Sequence, residues 1–369
     1  MTVKAITVPR WGMSMSEGKI AGWLVAVGAE VAAGDELVEI ETTKLTGVYE
    51  AHEGGGQLRR ILAEEGTVRP VGALIGVIAD AAVPDAEIDA FIASYVFDED
   101  EDGASAGPKE ERVEVDGYQV NVLRAGPAES EELPLVLVHG FGGNADNWAM
   151  TVAAMSPARP VIAIDLPGHG KSTKLVSDPR PETYAKIVAR VLKALGVSRC
   201  HVAGHSYGGL VCAILAAGNP DLVASLTLVD PAGLDAAIGE DYVGRFVGAN
   251  DRRTLKDVMG LLFEDTRLVS RSMVDDMLNY RRIEGVQATL EKIAADLSAR
   301  AGTFGTLPAG VAGRTLVVWG EKDKIFPPGH MERIPGAAEK HVVAGVGHMP
   351  HVESPDFNRL LGDFIARHA

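Results

Sequence analysis

Cysteine is nearly absent from this 369-residue chain: only Cys200 and Cys212 occur. Two thiols make no disulfide framework. One opens an apolar run and the other lies in the next helical stretch, so both are expected as buried free thiols in a reducing compartment. Long hydrophobic runs are missing as well. No eighteen consecutive apolar residues occur, so no membrane span is expected, and the opening MTVKAITVPRWGMSM lacks the apolar core of a secretory signal. A soluble, cytoplasmic protein is the expectation. Positive charge is also scarce, with 35 Lys and Arg against 51 Asp and Glu, a net charge of −16. Such a chain repels phosphate backbones, which argues against nucleic acid, and most of the acidic excess reads as surface solubility. No Gly-rich nucleotide loop of recognisable type appears, and no residue is expected to hold a metal.

What is present is length enough for two domains and a globular balance of 46% hydrophobic and 23% charged residues. Residues 1–79 read as short strands broken by glycine: Lys4–Val8, Gly18–Val25, Glu36–Glu41, Gly47–Glu50, Gln57–Ile61 and Leu74–Ile78. A small all-β flattened barrel or sandwich is expected, built from two halves that echo each other at Gly28-Ala29-Glu30-Val31 and Gly66-Thr67-Val68. Residues 80–111 read as one short helix, Pro84–Tyr95, and an acidic linker with seven acidic residues and one lysine between Asp98 and Glu111. That linker would reach about 50 Å at full stretch and roughly 20 Å on average.

From Arg112 the pattern changes. Strand-like runs at Leu135–His139, Val161–Asp165, Cys200–Gly204, Ser225–Asp230, Thr315–Gly320 and Glu339–Val343 alternate with helical segments. This predicts an α/β domain over 112–369 with a mainly parallel sheet. Helical periodicity without strands over Tyr242–Ala301 predicts a helical lid, at about 233–310, above the strand ends where such sheets bind ligands.

Two constellations carry chemistry. The first is Gly204-His205-Ser206-Tyr207-Gly208, a G-x-S-x-G between an apolar strand and a helix-compatible run. A serine in that strained turn projects its hydroxyl above the sheet. It needs a base and an orienting acid in the order Ser, acid, His, and His348 in Gly345-Val346-Gly347-His348 and Asp323 after Thr315–Gly320 satisfy the order. Asp230, ending the preceding strand, is the alternative acid. In His139-Gly140-Phe141-Gly142-Gly143, glycines free the backbone, so the N–H groups of Phe141 and Tyr207 are the expected oxyanion donors. Asp165-Leu166-Pro167-Gly168-His169-Gly170 reads as a structural turn. The motifs HGFGG, DLPGHG, GHSYGG, GEKD and GVGH, in this order, resemble the α/β-hydrolase family over Arg112–Ala369, a family whose chemistry varies widely.

The second constellation is Lys44, between Ile40-Glu41-Thr42-Thr43 and Thr46-Gly47-Val48, at the tip of an expected hairpin. Val8-Pro9, Met13-Ser14-Met15-Ser16-Glu17-Gly18, Trp23, Gly34-Asp35 and Val38–Lys44 resemble the lipoyl domains of 2-oxo acid dehydrogenase complexes. The resemblance implies lipoate on Lys44, attached by a lipoate ligase or lipoyltransferase. The family usually has Asp before the modified lysine, where this chain has Thr43. Biotinyl domains share the shape but flank their lysine with methionines, unlike Thr43 and Leu45.

The usual acyltransferase domain of these complexes carries His-x-x-x-Asp-Gly, which this chain lacks. A lipoyl domain fused to an α/β-hydrolase domain instead resembles the acetyltransferase components of acetoin dehydrogenase complexes. That implies acetyl transfer from the dihydrolipoyl group to coenzyme A in acetoin catabolism, beside a thiamine-diphosphate-dependent acetoin dehydrogenase component and a dihydrolipoamide dehydrogenase. A hydrolase (an esterase or C–C hydrolase) bearing a carrier domain is the alternative.

Overall fold

The computed structural model describes residues 3–9, 17–32, 34–41, 46–51, 56–95, 108–234, 241–299, 309–334 and 337–368. Lys44, the Met13–Ser16 motif, most of the acidic run and parts of the lid (235–240 and 300–308) lie outside them. The chain divides into two compact units, Met1–Gly103 and Ala104–Ala369.

In the first unit short β-branched runs form β1 (Val3–Thr7), β2 (Glu17–Trp23), β3 (Glu36–Glu41), β4 (Thr46–Glu50), β5 (Gln57–Ile61), β6 (Val68–Pro70) and β7 (Leu74–Ala79). Among the described residues these pair antiparallel in a three-stranded sheet, β1-β7-β5, and a four-stranded one, β4-β3-β2-β6. Inward-facing Ile20, Leu37, Ile40, Leu58 and Ile75 are fully buried between them. The sequence echo is a structural repeat. Gly28 N–H donates to Leu58 O and Leu58 N–H to Ala29 O; Gly66 N–H donates to Ile20 O and Ile20 N–H to Thr67 O. Both turns need left-handed backbone, φ 92° at Gly28 and 83° at Gly66, which glycine takes without strain.

The helix expected in the linker, α1 (Asp85–Ser94), is instead part of this unit. Val83 and Ile88 bury against Val77 and Ala79, and Arg59 and Arg60 pair with Asp85 and Asp89 at 2.8 and 3.1 Å.

The second unit opens earlier than the expected boundary at 112, with β8 (Lys109–Val115) and β9 (Tyr118–Ala125). Lys109, Glu110 and Glu111 pair with Arg124, Leu123 and Val122, so the end of the acidic run is edge strand. Then follow β10 (Leu135–Val138), α2 (Ala149–Met155), β11 (Val161–Ile164), α3 (Pro181–Ala194), β12 (Cys200–His205), α4 (Tyr207–Gly218) and β13 (Val223–Val229). Helices α5 (Tyr242–Gly248), α6 (Arg252–Met259), α7 (Arg271–Arg281), α8 (Val286–Ala299) and α9 (Ala309–Ala312) intervene. The unit closes with β14 (Thr315–Gly320), β15 (Glu339–Val343), α10 (Pro350–Glu353) and α11 (Asp356–Ala366).

Among the described residues the sheet has eight strands, ordered β15-β14-β13-β12-β10-β11-β9-β8. It is parallel from β15 to β11 and antiparallel at the β9 and β8 edge. Every residue of β10, β11 and β12 is buried, as expected for strands covered by helices on both faces. From β10 the chain steps to β11 on one side, then returns to β12 on the other. That reversal opens a crevice at the carboxyl ends of β10 and β12.

Candidate active site

Ser206 stands at this crevice, between β12 and α4. Its backbone is left-handed (φ 51°, ψ −116°), a strained state for a residue with a side chain. The surroundings enforce it: Ser206 N–H donates to Val229 O at 2.8 Å, and Ser206 O accepts from Ala232 N–H at 3.0 Å. The flanking glycines have no alternative. A Cβ on Gly204 would lie 2.4 Å from Gly208 O, and one on Gly208 would lie 2.4 Å from both Val138 O and His139 O. Strand, sharp turn and helix are thus pressed together more closely than any side chain permits.

His348 follows β15 and Asp323 follows β14. His348 Nδ1 lies 2.8 Å from Asp323 Oδ2, and both side chains are buried. Asp323 Oδ1 accepts the backbone N–H groups of Ile325 and Phe326 at 2.7 and 3.0 Å. Two backbone N–H groups and His348 Nδ1 thus fix the Asp323 side chain in one orientation, which leaves His348 Nε2 without a bond to that acid. Asp230, the alternative acid, lies close by but makes no hydrogen bond to His348: its Oδ1 accepts Gly320 N–H at 3.0 Å.

The loop after β10 carries Phe141. Gly143 N–H donates to Gly140 O, and Gly142 N–H donates to His169 Nε2 at 3.2 Å. Phe141 packs edge-on against Phe246 of α5, and Phe246 also closes over Gly142, where a Cβ would meet its ring at 2.9 Å. Tyr207 begins α4, its ring anchored by a hydroxyl bond to Pro179 O at 2.7 Å. The structure therefore brings together five of the six expected site residues, Ser206, His348, Asp323, Phe141 and Tyr207, while Lys44 lies outside the described residues.

Three further histidines shape the site. His205 donates from Nε2 to His348 O at 2.8 Å, tying the turn before Ser206 to the loop that carries His348. His139 Nε2 accepts Leu166 N–H and its Nδ1 donates to Gly140 O. His169 buttresses the Phe141 loop, while Asp165 spends its carboxylate on the N–H groups of Ala145 and Lys171. That segment is structural, as its sequence suggests, and its structure serves the site. Burial lowers the pKa of all three, His205 and His169 furthest, so the rings are neutral.

Above Ser206 and His348 lies a narrow apolar cavity walled by Phe141, Tyr242, Val243, Leu262, Leu297 and Phe326. Its volume of about 20 Å³ leaves room for little more than one water-sized group.

The chain is 40% identical over 365 residues to the dihydrolipoyllysine-residue acetyltransferase component of the acetoin cleaving system of Cupriavidus necator, covering 98% of this chain and 96% of that protein. It belongs to that acetyltransferase family. The Pseudomonas putida member is 38% identical over 378 residues, covering 99% of each. The alpha/beta hydrolase fold family matches residues 134–355, and the biotin-requiring enzyme family, which takes in lipoyl domains, matches 4–78. A meta-cleavage product hydrolase from Pseudomonas fluorescens superposes with a TM-score of 0.62 at 22% identity, over 70% of this chain and 98% of that one, a likeness of fold alone. The acetyltransferase family is thus an acyltransferase line built on a hydrolase scaffold.

Proposed function

We propose that this chain moves an acetyl group from a dihydrolipoyl thioester on Lys44 to coenzyme A by way of an ester on Ser206, in acetoin catabolism. The reading rests on one observation above all. A serine held in a strained elbow shares a narrow apolar cavity with a histidine whose Nδ1 is held at 2.8 Å by a buried acid.

The first unit fits a carrier. Strands β3 and β4 pair as far as Glu41 opposite Thr46, so the segment containing Lys44 joins two adjacent strand ends. Thr43 and Leu45 in place of methionines favour lipoate over biotin. Bound there, lipoate supplies a thiol that carries the acyl group as a thioester.

The remaining chemistry belongs to the second unit. His348 Nε2 takes the Ser206 proton as Oγ attacks the thioester carbonyl, and Asp323 stabilises the imidazolium. The N–H groups of Phe141 and Tyr207 hold the oxyanion. Collapse breaks the C–S bond, and His348 returns the proton to the departing thiol. The thiol of coenzyme A then loses its proton to His348 and its sulfur attacks the acyl-serine carbonyl; the C–O bond to Ser206 breaks, and His348 returns the proton to Oγ. A bound acetyl group fills the small cavity, which leaves little space for a hydrolytic water.

The chain is one component of a multi-component system, and we assign the acetoin dehydrogenase and dihydrolipoamide dehydrogenase components as its partners. Treating the purified protein with S-acetyl-dihydrolipoamide, without coenzyme A, tests the ester. Peptide mass analysis is expected to find acetyl on Ser206, and Ser206→Ala abolishes both adduct and turnover while Lys44 stays modified. Retained turnover in that variant would overturn the serine mechanism.

A further inference from the structure

Asp230 is fully buried at the end of β13 and holds a left-handed backbone (φ 42°), a conformation that residues with side chains seldom adopt. Its N–H donates to Val318 O at 3.1 Å and its Oδ1 accepts Gly320 N–H at 3.0 Å. Its Oδ2 meets no donor among the described residues. Yet one carboxylate oxygen of Asp230, one of Asp323 and a ring nitrogen of His348 lie within 4.8 Å of one another. Two buried carboxyl groups so close cannot both be ionised at modest cost. Asp323 already receives His348 Nδ1–H and two backbone N–H groups, so the negative charge belongs there.

Resting on the reading of Asp323 and His348 as the acid and base, we propose that Asp230 is kept as a neutral carboxylic acid. It donates its O–H to the Asp323 carboxylate and so acts as a positioning residue for the acid–base pair. The proton satisfies the orphaned Oδ2 and removes the repulsion between the two acids. It also gives Asp323 a further donor, which holds the carboxylate toward His348. Burial, the Asp323 charge and, more weakly, Glu353 all push the Asp230 carboxyl well above the usual carboxylate range, against the Gly320 N–H that lowers it. The titratable groups around it are Asp323 after β14, His348 after β15, Glu353 on α10 and, behind His348, the ring of His205.

The test uses the full-length protein carrying D230N, D230A and D323N. An infrared difference spectrum, wild type minus D230N at neutral pH, is expected to show the carbonyl band of a protonated carboxyl. Carboxylate bands alone would overturn the proposal. The pH profile of kcat/KM gives the second readout. Asn also offers a neutral donor, so D230N keeps the acid limb at its wild-type pH, whatever the change in rate. A fall of about one pH unit or more in that limb would mean that wild-type Asp230 is charged. Removing the donor in D230A is expected to lower kcat/KM roughly tenfold further than D230N does. Equal rates for the two variants would show that no donor is needed. Full activity in D323N would instead sink the underlying assignment of acid and base, whatever Asp230 does.

Discussion

At the scale of single residues, the proposed nucleophile and base, Ser206 and His348, are legible in sequence because their signal is local. G-x-S-x-G between an apolar strand and a helix dictates a turn in which only glycine fits two residues before and two residues after Ser206. Gly208→Ala should therefore destabilise the second unit by about 1–3 kcal/mol, measured by denaturant unfolding, because its methyl would strike the carbonyl oxygens of Val138 and His139. An unchanged midpoint would show that the elbow can relax. The choice between Asp323 and Asp230 is not local. Both follow core strands, and only side-chain direction, set by packing, gives the His348 bond to Asp323. His205 and His169 were equally hidden, since they bond backbone atoms 143 and 27 residues away. Buried His351 illustrates what neutral histidines cost in acid. Burial first, and then His348, lowers its pKa from 6.5 to about 3. The unfolded chain thus binds the extra proton below pH 6.5, and stability falls as pH drops from there towards 3. The slope is at most about 1.4 kcal/mol per pH unit. A melting series from neutral pH downwards should decline less steeply in His351→Phe, and an identical decline would contradict the assignment.

Among the elements, those with unbroken apolar runs were readable, and β10 to β15 fall where β-branched stretches alternate with helical periodicity. The β8–β9 hairpin and β6 were not. Lys109–Glu111 is wholly charged, with no apolar residue to mark a strand, and its strand state depends on β9 pairing beside it. Val68–Pro70 is three residues long and mostly exposed, with no apolar face to betray it. Nor did sequence foretell that α1 docks on the first unit, since its charged anchors, Arg59 and Arg60, lie on a strand far away in the chain. The helices after β13 set the size of the cavity. Leu297 on α8 walls it, and Leu297→Ala removes several buried carbon atoms beside Ser206. We expect that variant to accept butyryl thioesters better relative to acetyl and to release more acetate, because the space admits water. Selectivity and acetate release matching wild type would mean that these helices do not define the acyl site.

On the scale of the whole molecule, the shift from glycine-punctuated strands to strand–helix alternation marks two units with unlike tasks. On the proposed mechanism, tethering keeps the acyl carrier at roughly millimolar effective concentration for Ser206, so transfer needs no tight docking. By the same proposed mechanism a hydrolase scaffold here delivers its acyl group to a thiol. Supplying the purified protein with S-acetyl-dihydrolipoamide, with and without coenzyme A, and quantifying acetyl-coenzyme A and acetate tests this most directly. Rapid acetyl-coenzyme A with little acetate is expected, whereas acetate formed at the same rate regardless of coenzyme A would show that the acyl group goes to water instead.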